Sequence, residues 1–156
     1  MASRYEEVPS QVSDLVKTVM HESFPSLRNA NIHVLFDCKK RMSGGKFCLG
    51  RMMRPNDLIR FFTETNLNPD GVDYVMFLDK MVFEAISNDD KIRIIRHEFQ
   101  HCEVDSENEK DPFKLRDHEI TDFYDEIEHN KNDPRWLERV AIVAASLYER
   151  EKDSEK

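Results

Sequence analysis

The chain has 156 residues, a length that suits one domain with a single modest core. Hydrophobic residues make up 39% and charged residues 35%, and no apolar run approaches the roughly 20 residues of a membrane helix. A net charge of −8 argues against a dedicated nucleic-acid binder, and the acid-bearing start "MASRYEEVPS" has no apolar signal region, so a cytoplasmic protein is expected.

From the N-terminus, "SQVSDLVKTVMHESF" at 10–24 carries Val12, Leu15, Val16, Val19 and Met20 at helical spacing. Ser10 is a candidate N-cap and Pro25 ends the helix. "NIHVLFD" at 31–37 alternates and reads as a strand. "SGG" at 43–45 marks a turn, and "KFCLGRMM" reads as the returning strand of a hairpin. This hairpin is basic: residues 39–54 hold six Lys/Arg and no Asp/Glu. It is expected to be a solvated face, with weak contact to nucleic acid or an acidic partner as the alternative.

Cys38, Cys48 and Cys102 are too few and too widely spaced for a disulfide framework or a CxxC zinc pair. They read as buried reduced thiols, with a Cys38–Cys48 bridge across the hairpin as the alternative. "PND" at 55–57 opens a short helix, "NPDG" at 68–71 is a loop, and "VDYVMFLD" at 72–79 is a buried strand. If that strand lies at a sheet edge, an extended substrate could pair with it near Asp79. "SNDD" at 87–90 supplies a cap and first-turn acids to the next helix.

That helix contains "IRIIRHEFQHCEVD", residues 92–105. At about 100° per residue, Ile92, Ile95, Phe99 and Cys102 form an apolar stripe that should face the core. Arg93, Arg96, Gln100 and Glu103 form a polar stripe expected to face water. His97 and His101 fall at roughly 140° and 180° from Ile92, away from the core stripe, with Glu98 beside them. The i, i+4 spacing lets both imidazoles reach one metal ion, and Glu98 can then serve as a general base.

A catalytic zinc keeps three protein ligands and an open position. The candidates for the third are Asp105, His118, Glu119, Asp122 and His129. "DSENEKDPFKLRD" at 105–117 is a polar loop that lets the chain fold back. "HEITDFYDEIEH" at 118–129 is a helix with Ile120, Phe123 and Ile127 on one face. His118 is favoured as the third ligand, with Glu119 or Asp122 orienting an imidazole. His21, His33 and His129 read as structural or surface residues. The stretch from Asp105 lacks the glycine and terminal glutamate of an EF-hand loop. Cys102, on the core stripe, is a poor nucleophile.

Pro134 opens a last apolar-striped helix, which caps the core or makes a dimer. The order of elements gives an α+β fold, a small mostly antiparallel sheet covered by helices, spanning 1–156 as one domain.

Four stretches together resemble the phage-type metallopeptidases, small zincin-like proteins. They are "FPSLRNANIHVLF", "VDYVMFLDKMVF", "RHEFQHCEVD" and "LRDHEITDF", and the similarity covers roughly residues 10–130. The resemblance implies a zincin-like fold with an HExxH helix and a Zn2+-dependent peptidase acting on a peptide or protein. His97, His101 and His118 would be its ligands and Glu98 its base. The family's acid after the third histidine is Asp, where this chain has Glu119. Two other readings stay open. One is a binding module with a structural metal, holding nucleic acid or an acidic partner through 39–54; its closest hybrid is a protease recruited to nucleic acid, like the crosslink-repair metalloproteases. The other is a zinc hydrolase of a non-peptide amide.

Overall fold

The computed structural model describes residues 3–118 and 123–154. Strand β1 (Tyr5–Glu7) leads to helix α1 (Ser10–Ser23), a 3-10 turn at Pro25–Leu27 and strand β2 (Ile32–Asp37). A small hairpin follows, β3 (Met42–Ser43) and β4 (Lys46–Phe47), then β5 (Gly50–Met53), α2 (Asp57–Thr63) and β6 (Tyr74–Asp79). Helices α3 (Lys80–Ala85) and α4 (Asn88–Gln100) precede a second hairpin, β7 (Cys102–Val104) and β8 (Phe113–Leu115). Helices α5 (Tyr124–His129) and α6 (Trp136–Ser154) complete an α+β fold.

The main sheet has the order β1-β2-β6-β5. It is mixed: β2 and β6 are parallel, and the two outer pairings are antiparallel. All six residues of β6 are buried. A central strand covered on both faces loses the alternation of a half-exposed one, which is why this stretch reads as a continuous apolar run. Tyr74, Met76 and Leu78 join the main core with Val16, Ile95 and Val140, while Val75 and Phe77 pack on the opposite face beside Leu35, Met53 and Ile59.

Local chemistry sets the element boundaries. The Asn56 side chain accepts from Ile59 N at 2.9 Å, and that of Ser87 accepts from Asp90 N at 3.2 Å, so α2 and α4 each start on a capping residue. Gly44 and Gly45 have φ of 57° and 78°, which suits the two-residue turn between β3 and β4. On α6, Trp136, Val140, Ala144 and Tyr148 recur every fourth residue and are all buried, so this helix caps the core. Among the described residues, no helix is long and apolar enough to cross a membrane.

Several expectations change. The stretch 46–53 is not one strand: it breaks between β4 and β5, and β5 pairs with β6 instead of returning on β2. Strand β6 is therefore interior, and the sheet edges lie at β1 and β5. The polar segment 105–117 contains β8, paired with β7, because Phe113 packs against the core and stacks edge-on with Tyr74. Ser10 is the first residue of α1, with Pro9 at the cap position. The described part of the expected helix 118–129 begins only at Tyr124, and His118 is outside it. Arg96 and Gln100 do not face water, because α5 covers them. All three cysteines are free thiols, half-buried instead of buried.

Asp79 links three elements. It ends β6, its side chain accepts from Val82 N at 3.0 Å to cap α3, and the Tyr148 hydroxyl of α6 donates to it. Burial raises the Asp79 pKa, and the Tyr148 bond works against that rise. A group raised in the folded state stabilises in acid, and that contribution is lost as pH climbs through the raised value. Tyr148→Phe should therefore cost about 1–2 kcal/mol near neutral pH and less in acid. Denaturant midpoints across pH test this; a deficit independent of pH would contradict it.

Candidate metal centre

Helix α4 starts on Ser87, carries Asp89 and Asp90 in its first turn and ends at Gln100. His97 and Glu98 lie in its last turn. His101 is the C-cap, its backbone N–H donating to Glu98 O at 3.1 Å. The two histidines thus keep helical spacing although the chain leaves the helix at the second one.

The hairpin β7–β8 then reverses the chain. Its register pairs Cys102 with Leu115, and Arg116 N donates to His101 O at 2.7 Å, which extends the ladder by one residue. His118 follows two residues later. The ring centroids of His97, His101 and His118 lie 5.5, 4.8 and 4.5 Å apart pairwise. One nitrogen from each ring lies within 4.8 Å of the others, a group that can hold one metal ion.

The orientation of the rings is specified. His101 Nδ1 lies 2.8 Å from Arg116 O. A carbonyl only accepts, so Nδ1 carries the proton and Nε2 presents its lone pair. His97 Nε2 and His118 Nε2 face each other at 2.9 Å. Two such nitrogens need a proton between them or a cation beside them. Phe123, fully buried, sits with its ring 5.3, 5.1 and 5.1 Å from those of His97, His101 and His118. The Arg116 guanidinium stacks on Phe123 at 4.8 Å and donates to Gln100 O and Gln100 Oε1, both at 2.6 Å.

Glu98 is 5% exposed and lies against β5. A Cβ on Gly50 would stand 3.0 Å from Glu98 Cγ, so glycine is what lets this strand approach so closely. Burial pushes the Glu98 carboxyl up to about 7, opposed by the charge of His97. Its Oε2 is buried without a hydrogen-bond partner among the described residues. Burial also lowers the His101 pKa, and the charges of His118 and His97 act the same way. A neutral imidazole is the form that binds metal. The Cys102 thiol is pushed up to about 12, first by burial and then by Glu98, which fits its reading as a poor nucleophile.

A buried polar network backs the site. Gln100 donates to Glu126, Arg96 pairs with Glu126 at 2.8 Å and reaches Asn130 at 2.6 Å, and Arg93 and Arg139 share Asp90 and Asp133. This network locks α5 onto α4, and Phe123 is the residue just before α5. Of its participants, Arg93, Arg96 and Gln100 read in the sequence only as a polar stripe.

The other candidates lie elsewhere. Asp105 sits in the β7–β8 loop, where it accepts from Glu107 N, and His129 ends α5. Neither belongs to the three-histidine group. Glu119 and Asp122 lie outside the described residues. His33 pairs with Glu7 at 2.9 Å. Within 39–54, Arg41 pairs with Asp37 and Arg54 with Asp111.

The donor set fits a divalent transition metal. Zinc–imidazole bonds of about 2.0–2.1 Å place tetrahedral ligand nitrogens roughly 3.3 Å apart; here His97 Nε2 and His118 Nε2 stand 2.9 Å apart and all three nitrogens lie within 4.8 Å of one another. The partnerless Oε2 of Glu98 beside this group is where a polar ligand of such an ion would be received. A family model described as "Putative phage metallopeptidase" matches residues 3–148. No curated protein and no solved structure matches the chain.

Arg116 clamps the end of α4 to the strand that precedes His118. Arg116→Ala should cost about 1.5–3 kcal/mol through the lost charged hydrogen bonds, and should speed amide exchange at Arg116 N. Denaturation and hydrogen exchange measure both. A loss below about 0.5 kcal/mol, ordinary for a surface site, would contradict the clamp.

Proposed function

The chain belongs to the phage metallopeptidase family, and on that premise we propose that it is a zinc-dependent, zincin-like peptidase formed by 1–156 as one domain. His97, His101 and His118 are its metal ligands and Glu98 its general base. One observation carries this reading: three imidazoles converge to within 4.8 Å beside a buried carboxylate whose Oε2 has no partner among the described residues.

A bound zinc ion would supply Lewis acidity toward the scissile carbonyl and make a nearby water more acidic. The remaining work falls to the chain. Glu98, with its pKa near 7, takes a proton from the attacking water at neutral pH. The new C–O bond forms, the C–N bond breaks, and Glu98 returns the proton to the leaving amine. Burial keeps this carboxylate away from bulk water, and Gly50 leaves room for it. The Arg116 carbonyl holds His101 in the tautomer that ligates through Nε2. Strand β5, the sheet edge beside Glu98, is the surface on which an extended peptide would pair, in place of β6. The proposal that Glu119 or Asp122 orients an imidazole rests on sequence alone.

The test combines elemental analysis with hydrolysis of a quenched, denatured protein substrate. Wild type should hold about one zinc per chain. Glu98→Gln should keep the metal and lose roughly 10²–10⁴ of the rate. His101→Ala and His118→Ala should lose the metal. Hydrolysis by Glu98→Gln within about tenfold of wild type would sink the assignment of the base, and full zinc in His118→Ala would move the third ligand.

A further inference from the structure

The cavity that opens onto the three histidines is lined in part by apolar side chains that bond cleavage does not use. Its volume is about 390 Å³, inside the roughly 300–1,000 Å³ of small-ligand pockets. The histidines and Glu98 share its lining with an apolar wall of Phe47, Leu49, Met52, Ile94, Trp136 and Leu137. All of these but Leu137 pack in one core cluster. These side chains come from β4, the residues leading into and within β5, α4 and the start of α6. Met52, Ile94 and Trp136 are buried, and Leu137, 40% exposed, forms the rim. Lys46 adds a cation to the lining, and among the described residues Glu98 is its only carboxylate.

The apolar wall and the edge strand are in register. Gly50 and Met52 are alternate residues of β5, so they share the face that looks onto α4. Gly50 lies against Glu98, and Met52 belongs to the apolar wall. Side chains of a peptide paired with β5 would also alternate, about 6.5–7 Å apart on one face. When the bond to be cut lies beside Gly50 and Glu98, a neighbouring side chain falls toward Met52 and the wall behind it.

We propose that this apolar wall forms a side-chain pocket selecting peptides with a large apolar residue, leucine or phenylalanine, next to the cleaved bond. The proposal rests on the peptidase reading. A lysine there would lose its hydration against Ile94 and Met52 and would meet the like charge of Lys46. An apolar side chain meets neither cost.

Trp136 is the only tryptophan of the chain and lines the pocket, so its emission reports occupancy without any catalysis. The experiment titrates end-blocked alanine hexapeptides, carrying leucine, phenylalanine, aspartate or lysine at one position, into zinc-loaded Glu98→Gln protein. Leucine and phenylalanine peptides should shift the emission and bind at least about tenfold more tightly than the lysine peptide. Leu137→Glu, at the exposed rim, should bring the lysine peptide level with or ahead of the leucine one, with circular dichroism verifying that it folds. Equal binding of all four peptides, or unchanged emission at saturation, overturns the pocket. Wild-type hydrolysis without residue preference overturns the pocket and leaves the peptidase standing. Leucine-selective binding with no hydrolysis by the wild type does the reverse.

Discussion

The site depends on one short piece of backbone pairing, that of His101 with Arg116. A helix can bring two imidazoles to a point through i, i+4 spacing, but its next same-face position lies a further turn along the axis. A third histidine must arrive from another direction. The chain achieves this by leaving the helix at His101 and turning back through β7 and β8. Two bonds join the pair: Arg116 N donates to His101 O at 2.7 Å, and His101 Nδ1 donates to Arg116 O at 2.8 Å. The first sets where the returning strand lies, and the second sets how the imidazole is turned. The hairpin is itself tied to the central strand, since the Tyr74 hydroxyl donates to Lys114 O at 2.7 Å. The core of the protein thereby reaches the candidate ligand His118 through a handful of hydrogen bonds.

The same region carries polar burial that a stability-optimised protein would avoid. Glu98 is nearly inaccessible, and one of its oxygens has no partner among the described residues. Such a group weakens folding by an amount on the order of 1–3 kcal/mol. The network of Arg93, Arg96, Gln100, Glu126 and Asn130 is of the opposite kind, because most of its groups are bonded to one another. It holds the six-residue α5 in place, where helical propensity alone would leave so short a segment unstable. A rigid polar network and an unsatisfied carboxylate thus stand close to the same three histidines.

Much of this was legible in the sequence where one local rule dominated. The caps at Asn56 and Ser87, the Gly44–Gly45 turn and the buried run of β6 follow from short-range chemistry. The convergence of His97, His101 and His118 was also approachable, because helical spacing supplied two and the polar segment after them allowed a return. The details of that return were not. Residues 105–117 look like solvent-exposed loop, and only Phe113, seated against Tyr74, turns part of them into strand. The pairing of β5 was hidden for a related reason. A strand next to a turn suggests a local hairpin, whereas β6, twenty residues downstream, offered the wider apolar face. Gly50 gave no sign of its role, since its value lies in what a side chain would displace. The outward stripe of α4 was misread because arginine and glutamine resemble solvated residues until a partner such as Glu126 covers them.

The β7–β8 hairpin also separates the position of His118 from the length of the chain before it. Its ladder closes at Val104 opposite Phe113, so the position of His118 is fixed by pairing and not by the residues spanning the tip between them. Lengthening such a tip is cheap, since each doubling of a flexible loop costs only about 0.6 kcal/mol. Residues added at that tip would therefore leave His118 where the strand pairing puts it, beside the two histidines of α4.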